Sequence, residues 1–250
     1  MNDQSGRREV TPVRERARRH WKGLLAAGIV IIAALAVGIP FLYIHVIEGS
    51  QPAALTLNDA PQGTASAGSG GTTTTGGVSG TWTVGTGSQA GYRVHETLAG
   101  QSAIAVGRTS EVTGSMTIKG TTVTAATFTV QMASVKSDRS QRDAQFAGRI
   151  MDTAQFPTGS FVLTKPIALG TIPPIGKTVT VTATGNLTLH GTTKPVTFTM
   201  TADRTATDIN VTGDITISYG DYGIDNPSFG GFVSVGSSGT VEFLLVTTKS

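Results

Sequence analysis

Two stretches decide how this chain is read: Ser134–Phe161, SVKSDRSQRDAQFAGRIMDTAQFPTGSF, and Gly185–Phe198, GNLTLHGTTKPVTF. Within the first, Ala144, Ala147, Ile150 and Met151 recur at helical spacing, with Phe146 beside that face. Ser140 followed by Asp143 is a capping-box-like start, so a helix is expected over Ser140–Asp152. Phe156-Pro157 then stops it, because the residue before a proline is pushed out of the helical region. The second stretch alternates apolar and polar residues, breaks at His190-Gly191 and resumes after Pro195. It reads as a hairpin, with the proline at the start of the second strand, where a missing donor is tolerated.

Around these landmarks the period is two. Thr81–Val84, Tyr92–Glu96, Ser115–Lys119, Val123–Met132, Gly159–Leu163, Val179–Leu189, Val196–Ala202, Ile209–Ser218 and Thr240–Thr247 are short alternating runs between Gly, Asp, Asn or Pro turn signals. The expected fold class is all-β, an antiparallel barrel of about eight strands with one inserted helix as lid or plug. Closure removes edges that a Val- and Thr-rich chain would otherwise leave open to aggregation.

The N-terminal part has a different character. Residues 1–23 carry seven basic groups against three acids, while the remaining residues carry twelve against thirteen. The basic balance therefore belongs to the tail, and the C-terminal domain has no electrostatic footprint for nucleic acid. Leu24–Ile44, LLAAGIVIIAALAVGIPFLYI, is uncharged and long enough to cross the roughly 30 Å hydrocarbon core as a helix. Basic residues crowd its N-terminal flank, and no Lys or Arg follows Lys22 until Arg93. The positive-inside rule places the N-terminus in the cytoplasm and the rest outside. A cleaved signal peptide, cut near Ala53 or Ala54, is the competing reading, but the apolar run exceeds the roughly 7–15 residues of a signal core. From Gly63 to Gly80 the chain is almost wholly Gly, Ser, Thr and Ala, a composition that cannot offset ordering entropy. The expected organisation is a cytoplasmic tail over 1–23, a membrane span over 24–47, a flexible linker over 48–79 and the barrel over 80–249.

Chemistry is hard to find. The chain has no cysteine, which removes disulfides, thiolate nucleophiles and a lipidated cysteine. His95 and His190 lack metal-ligand spacing, and no Gly-x-Ser-x-Gly elbow accompanies them. Asp221, Asp225 and Asn226 read as a turn rather than a calcium loop. The sequence thus points to a non-enzymatic binding protein without metal or cofactor. Adjacent on a helix, Arg142 and Asp143 face different ways, so each needs its own partner. Asp143 is expected at the helix N-terminus and Arg142 on a strand carbonyl or carboxylate, clamping the helix to the barrel.

The case for binding rests on apolar residues of one face. On the strands these are Phe128 and Val130, Phe161, Leu187 and Leu189, Phe198, Ile217 and Phe243; the helix adds Phe146 and Ile150. A barrel of this size is either filled by its side chains or holds one ligand. Small residues beside the bulky ones lean toward a cavity.

The helix insert with Arg142-Asp143, Phe156-Pro157 and Phe161, the run Leu187–Val196 (LTLHGTTKPV) and the opening Trp82-Thr83-Val84 together resemble the YceI-like family. The resemblance covers roughly residues 80–249. It implies a lipocalin-like extracytoplasmic barrel holding a polyisoprenoid or isoprenoid quinone, with Arg142, Asp143, Phe156, Pro157, His190 and Gly191 as structural motif. Gly91–Glu96 and the Gly- and Ser-rich stretch Asn226–Gly239 depart from the family pattern. The anchor lies outside it. The reading is a membrane-anchored isoprenoid-binding protein, its alternative a protein-interaction module with a filled barrel.

Overall fold

The computed structural model describes residues 28–34, 51–61 and 77–250 except 99 and 232. Residues 28–34, inside the expected span, are helical. Among the described residues no helix is long and apolar enough to cross a membrane, and the rest of the 24–47 segment lies outside them. The cytoplasmic tail also lies outside the described residues. The chain divides into one unit ending at Ser50 and a second beginning at Gln51.

Among its described residues the second unit is built from thirteen strands. In chain order they are β1 (Gly80–Val84), β2 (Gln89–Leu98), β3 (Gln101–Thr109), β4 (Val112–Lys119), β5 (Thr122–Gln131), β6 (Lys136–Ser137), β7 (Thr158–Leu163), β8 (Ile167–Ala168), β9 (Val179–Leu189), β10 (Thr192–Arg204), β11 (Asp208–Ser218), β12 (Val233–Val235) and β13 (Ser238–Lys249). Antiparallel pairing runs β1-β4-β5-β7-β9-β10-β11-β13 and returns to β1. The ring therefore closes on eight strands, as the turn-punctuated alternation predicts. β13 divides one edge between two partners. Thr240–Leu244 pair with β2, and Thr247–Lys249 pair with β1. β2 thus extends the wall at one end, carrying β3 on one side and β12 beside it.

The hairpin at Leu187–Val196 sets the register of β9 on β10, from Leu189 opposite Thr192 to Val179 opposite Ala202. His190 and Gly191 both have positive φ, +48° and +71°, the backbone of a two-residue hairpin turn. Phe156 fills the place of a Gly191 β-carbon, so only glycine fits there.

The inserted helix differs from expectation. Regular α-helix covers only Ser140–Gln145, its N-cap is Arg139, and the Ser140–Asp143 capping box does not form. A π-turn follows over Phe146–Ile150, where Met151 N donates to Phe146 O at 2.9 Å. The extra residue of that turn rotates the following side chains. Phe146 and Met151 are buried, whereas Ala144, expected on the apolar face, is exposed. Asp152, at φ +40°, ends the segment, and its carbonyl accepts from Gln155 and Phe156.

Residues 51–61 correct the linker expectation. They lie along the outer face of β13 as an ordered strap. Leu55 and Ala60 bury against Leu244 and Val246, with Leu57 packed alongside. Beneath the strap Glu242, 3% exposed, accepts from Arg93 Nε at 3.1 Å and Arg108 Nε at 2.7 Å. The same guanidiniums reach outward to the strap backbone. Arg93 Nη2 donates to Pro52 O at 2.8 Å, and Arg108 Nη2 donates to Ala53 O. Composition misled here because the strap is ordered by distant parts of the chain, Leu244 and Val246 and the buried ion pair at Glu242, which no local pattern reveals. The Gly- and Thr-rich residues 62–76 lie outside the described residues.

The candidate ligand site inside the barrel

Apolar side chains inside the barrel form two buried clusters. One gathers Trp82, Met116, Ile118, Val123, Ala183 and Leu245. The other, beneath the inserted helix, gathers Phe146, Met151, Leu187, Leu189, Tyr219 and Tyr222. Val130, Phe161, Phe198 and Phe243 touch both clusters, yet each is only half-buried. Strand neighbours that point outward, such as Thr127, Thr182 and Thr199, are exposed to bulk solvent. An inward side chain of a closed ring keeps exposure only toward its own lumen. The half-buried residues lie between the two clusters and keep residual exposure on the inward face.

The rings of that lining form a connected belt. Phe161 and Phe198 meet edge-to-face at 5.4 Å between centroids, and Phe198 and Phe243 at 5.9 Å. Several rings of the lining, though not Phe198, also have a glycine beneath them. A β-carbon at Gly185 would lie 2.4 Å from Phe161 Cζ, and one at Gly213 2.9 Å from Phe243 Cζ. Gly114 under Phe128 and Gly107 under Tyr92 repeat the device. An aromatic ring laid across a glycine covers its strand and leaves the axis of the barrel clear.

The expected ligand residues thus separate. Phe128, Val130, Ile150, Phe161, Phe198 and Phe243 are half-buried lining. Phe146, Leu187, Leu189 and Ile217 are buried in the cluster under the helix and act as its floor. Tyr92, Val94, Val181 and Met200 join the lining, and sequence reasoning did not include them among the ligand residues. Alternation along the strands carried the signal for Val181 and Met200. Tyr92 was obscured because Gly91–Glu96 reads as a mixed polar segment.

The helix end is polar at its rim. Arg142 pairs with Asp138 and reaches Glu96 on β2 at 3.5 Å, the strand carboxylate expected for it. Asp143 Oδ1 accepts from Ser137 N and Ser137 Oγ, both at 2.7 Å, and so fastens the segment entering the helix. These two contacts make Arg142-Asp143 a clamp. Phe146 stacks on Tyr92 at 5.1 Å and 19°. Burial pushes the Tyr92 hydroxyl up to about 12, with Arg142 opposing and Asp143, Glu96 and Asp138 assisting.

His190 Nδ1 lies 3.3 Å from Tyr222 O, and its ring meets Phe156 edge-on at 4.6 Å. Those contacts lock the hairpin turn to the segment after β11. His95 is exposed on β2. No group of three or more metal-ligating side chains occurs among the described residues.

Comparison with known proteins agrees with this architecture. The sequence profile of the YceI-like domain matches residues 82–247. No curated protein matches the chain. Among solved structures, a polyisoprenoid binding domain from Saccharophagus degradans implicated in plant cell wall breakdown aligns with a TM-score of 0.55 at 16% identity, covering 68% of this chain and 98% of that one. Burkholderia cenocepacia BcnA aligns with a TM-score of 0.49 at 20% identity, covering 63% and 96%. Strap and N-terminal segment lie outside the profile match, which includes every strand from β2 to β12 and most of β1 and β13. The chain belongs to the family of YceI-like domains.

Proposed function

We propose that the barrel holds the apolar tail of a long-chain isoprenoid lipid, a polyprenyl compound or isoprenoid quinone, and that an N-terminal span keeps it at the outer face of a membrane. The observation that carries this reading is the belt of half-buried rings, Phe161, Phe198 and Phe243, between two closed apolar clusters. The aligned domain from Saccharophagus degradans is described as polyisoprenoid binding, which supports the same ligand class. The domain acts by storage, shielding or transport, with no chemistry of its own. A tail of about forty carbons, at roughly 0.3 kcal/mol per atom, gains on the order of 12 kcal/mol. That suffices to hold the tail against loss to water.

Anchoring rests on the uncharged run Leu24–Ile44 and its one-sided basic flank. The test is native mass spectrometry of the full chain released from membranes, with organic extraction of what accompanies it. A stoichiometric isoprenoid supports the reading and names the ligand. A bare protein that also fails to take up added polyprenyl or quinone probes overturns it and leaves the interaction-module alternative.

A further inference from the structure

We propose that the hydroxyls of Tyr219 and Tyr222 form the head-group end of the ligand site and donate hydrogen bonds to the ring carbonyl of an isoprenoid quinone. The pair selects the quinone over a polyprenyl phosphate or alcohol, a choice that rests on the barrel holding an isoprenoid lipid at all.

Both tyrosines belong to the short 3-10 turn Tyr219–Tyr222 that follows β11. Residues three apart in such a turn eclipse one another, so the two side chains leave it on one side. They enter the apolar cluster beneath the inserted helix, with Leu187, Leu189 and Ile217. Tyr219 is 6% exposed and Tyr222 2%. The Tyr219 ring lies across Gly239, where a β-carbon would be 2.7 Å from its hydroxyl oxygen. Gly239 shares one face of β13 with Val241 and Phe243, which pack on that cluster. Tyr219 therefore lies on the wall that carries the aromatic belt.

Neither hydroxyl has a partner. Among the described residues four buried side-chain polar atoms lack one, the oxygens of Tyr219, Tyr222, Gln51 and Asn210. Gln51 and Asn210 still use their amide nitrogens, on Asp138 at 3.0 Å and on Asp203 at 2.9 Å. Of these four residues, only the tyrosines leave a whole polar group unused. A buried hydroxyl without a partner is costly, and two in one apolar cluster call for an acceptor from outside the chain.

The surroundings define that acceptor. Burial holds both hydroxyls above the usual tyrosine value, and Asp221 raises Tyr222 further, so both stay protonated donors. The Asp221 charge also disfavours a phosphate or pyrophosphate. The cations of the inserted helix are engaged elsewhere. Arg142 pairs with Asp138 and Glu96, and Arg149 donates to Gln145 Oε1, Asn226 O and Pro227 O. An alcohol would accept a bond but bring an O–H of its own into the apolar cluster. A carbonyl oxygen accepts two bonds and brings no proton. Neither tyrosine oxygen is open to solvent, so the head group displaces an apolar neighbour on entry. Phe146 and Met151 belong to the same cluster, and the π-turn that joins them marks the inserted segment as the part that gives way.

The test offers the full chain, in detergent micelles, an equal mixture of an isoprenoid quinone, a polyprenyl phosphate and a polyprenyl hydrocarbon of equal tail length. Native mass spectrometry counts the bound species. The unsubstituted chain should prefer the quinone by at least about tenfold over either competitor. Tyr219→Phe or Tyr222→Phe alone should lower that preference about threefold, and the two together should bring quinone and hydrocarbon to parity. The urea midpoint of the lipid-free double variant should equal or exceed that of the unsubstituted chain, because phenylalanine keeps the ring and removes an unpaired group. A chain that takes up none of the probes overturns the lipid reading and this site with it. Uptake without preference, a preference for the phosphate, or a quinone preference that survives both substitutions overturns the tyrosine site and leaves lipid binding standing. A lowered midpoint with the preference intact assigns the hydroxyls to the fold alone and overturns it equally.

Discussion

Replacing Phe198 by tryptophan separates an open lumen from a filled one. Phe198 sits at the middle of the belt, 5.4 Å from Phe161 and 5.9 Å from Phe243. In a packed core the larger indole forces its neighbours off their rotamers and costs about 1–3 kcal/mol. In an open lumen the indole extends into free space and keeps both edge contacts, so the loss stays under about 1 kcal/mol. The opposite substitution gives a second reading. Phe198→Ala removes two ring pairs worth roughly 0.5–1.5 kcal/mol each. A fully packed phenylalanine costs about 3–5 kcal/mol on truncation, because a cavity is added to the lost transfer energy. The assay is urea unfolding of the lipid-free full chain in detergent micelles, followed by far-ultraviolet circular dichroism. Ligand binding should respond in the other direction. An indole that displaces two methylenes of the tail, at about 0.8 kcal/mol each, weakens affinity roughly tenfold. A tryptophan protein destabilised by 1–3 kcal/mol, with binding unchanged, would refute the open-lumen argument.

Further expectations follow from the rim and the strap. Glu242→Ala leaves two inward-held guanidiniums without their carboxylate, and should cost about 3–5 kcal/mol and make residues 51–61 cleavable in limited proteolysis. Tyr92 has its hydroxyl raised from 10.0 to about 12 in the folded state. The folded protein therefore holds that proton more tightly than the unfolded chain. Its contribution is fully present below pH 10 and is lost as pH climbs toward 12, by about 2–3 kcal/mol. Tyr92→Phe should flatten this alkaline limb in pH-dependent urea titrations. Gly191→Val places a β-carbon 2.5 Å from Phe156 Cε1 at a backbone of φ +71°, and should lower stability by at least about 1–3 kcal/mol in the same unfolding assay.

Local signals made much of this protein legible in advance. Alternation at Val179–Leu189 and Val196–Ala202 with His190-Gly191 between them specified a hairpin, because side-chain period and turn chemistry are properties of neighbouring residues. The same holds for the stop at Phe156-Pro157 and for the inward set on the strands. β3 escaped notice, since Gln101–Thr109 mixes small residues with polar ones and its face is set by pairing with β2. The capping box at Ser140 failed because Asp143 found a better acceptor role at Ser137.

What only the tertiary structure decided depends on residues brought together from far apart. Period two assigned Phe198 and Leu187 to one face, but could not say that one borders open space while the other is floor. That distinction rests on the neighbours each side chain meets across the sheet, Phe161 and Phe243 for Phe198 and the cluster under the helix for Leu187. The strap is the clearest case. Its order comes from Leu244 and Val246, which cover Leu55 and Ala60, and from Arg93 and Arg108, held by Glu242 across 149 and 134 residues of chain. Secondary structure and turn positions are local energies and can be read along the sequence. Closure, open volume and the docked strap are differences between non-local contacts and the entropy of forming them, and only the folded chain evaluates that difference.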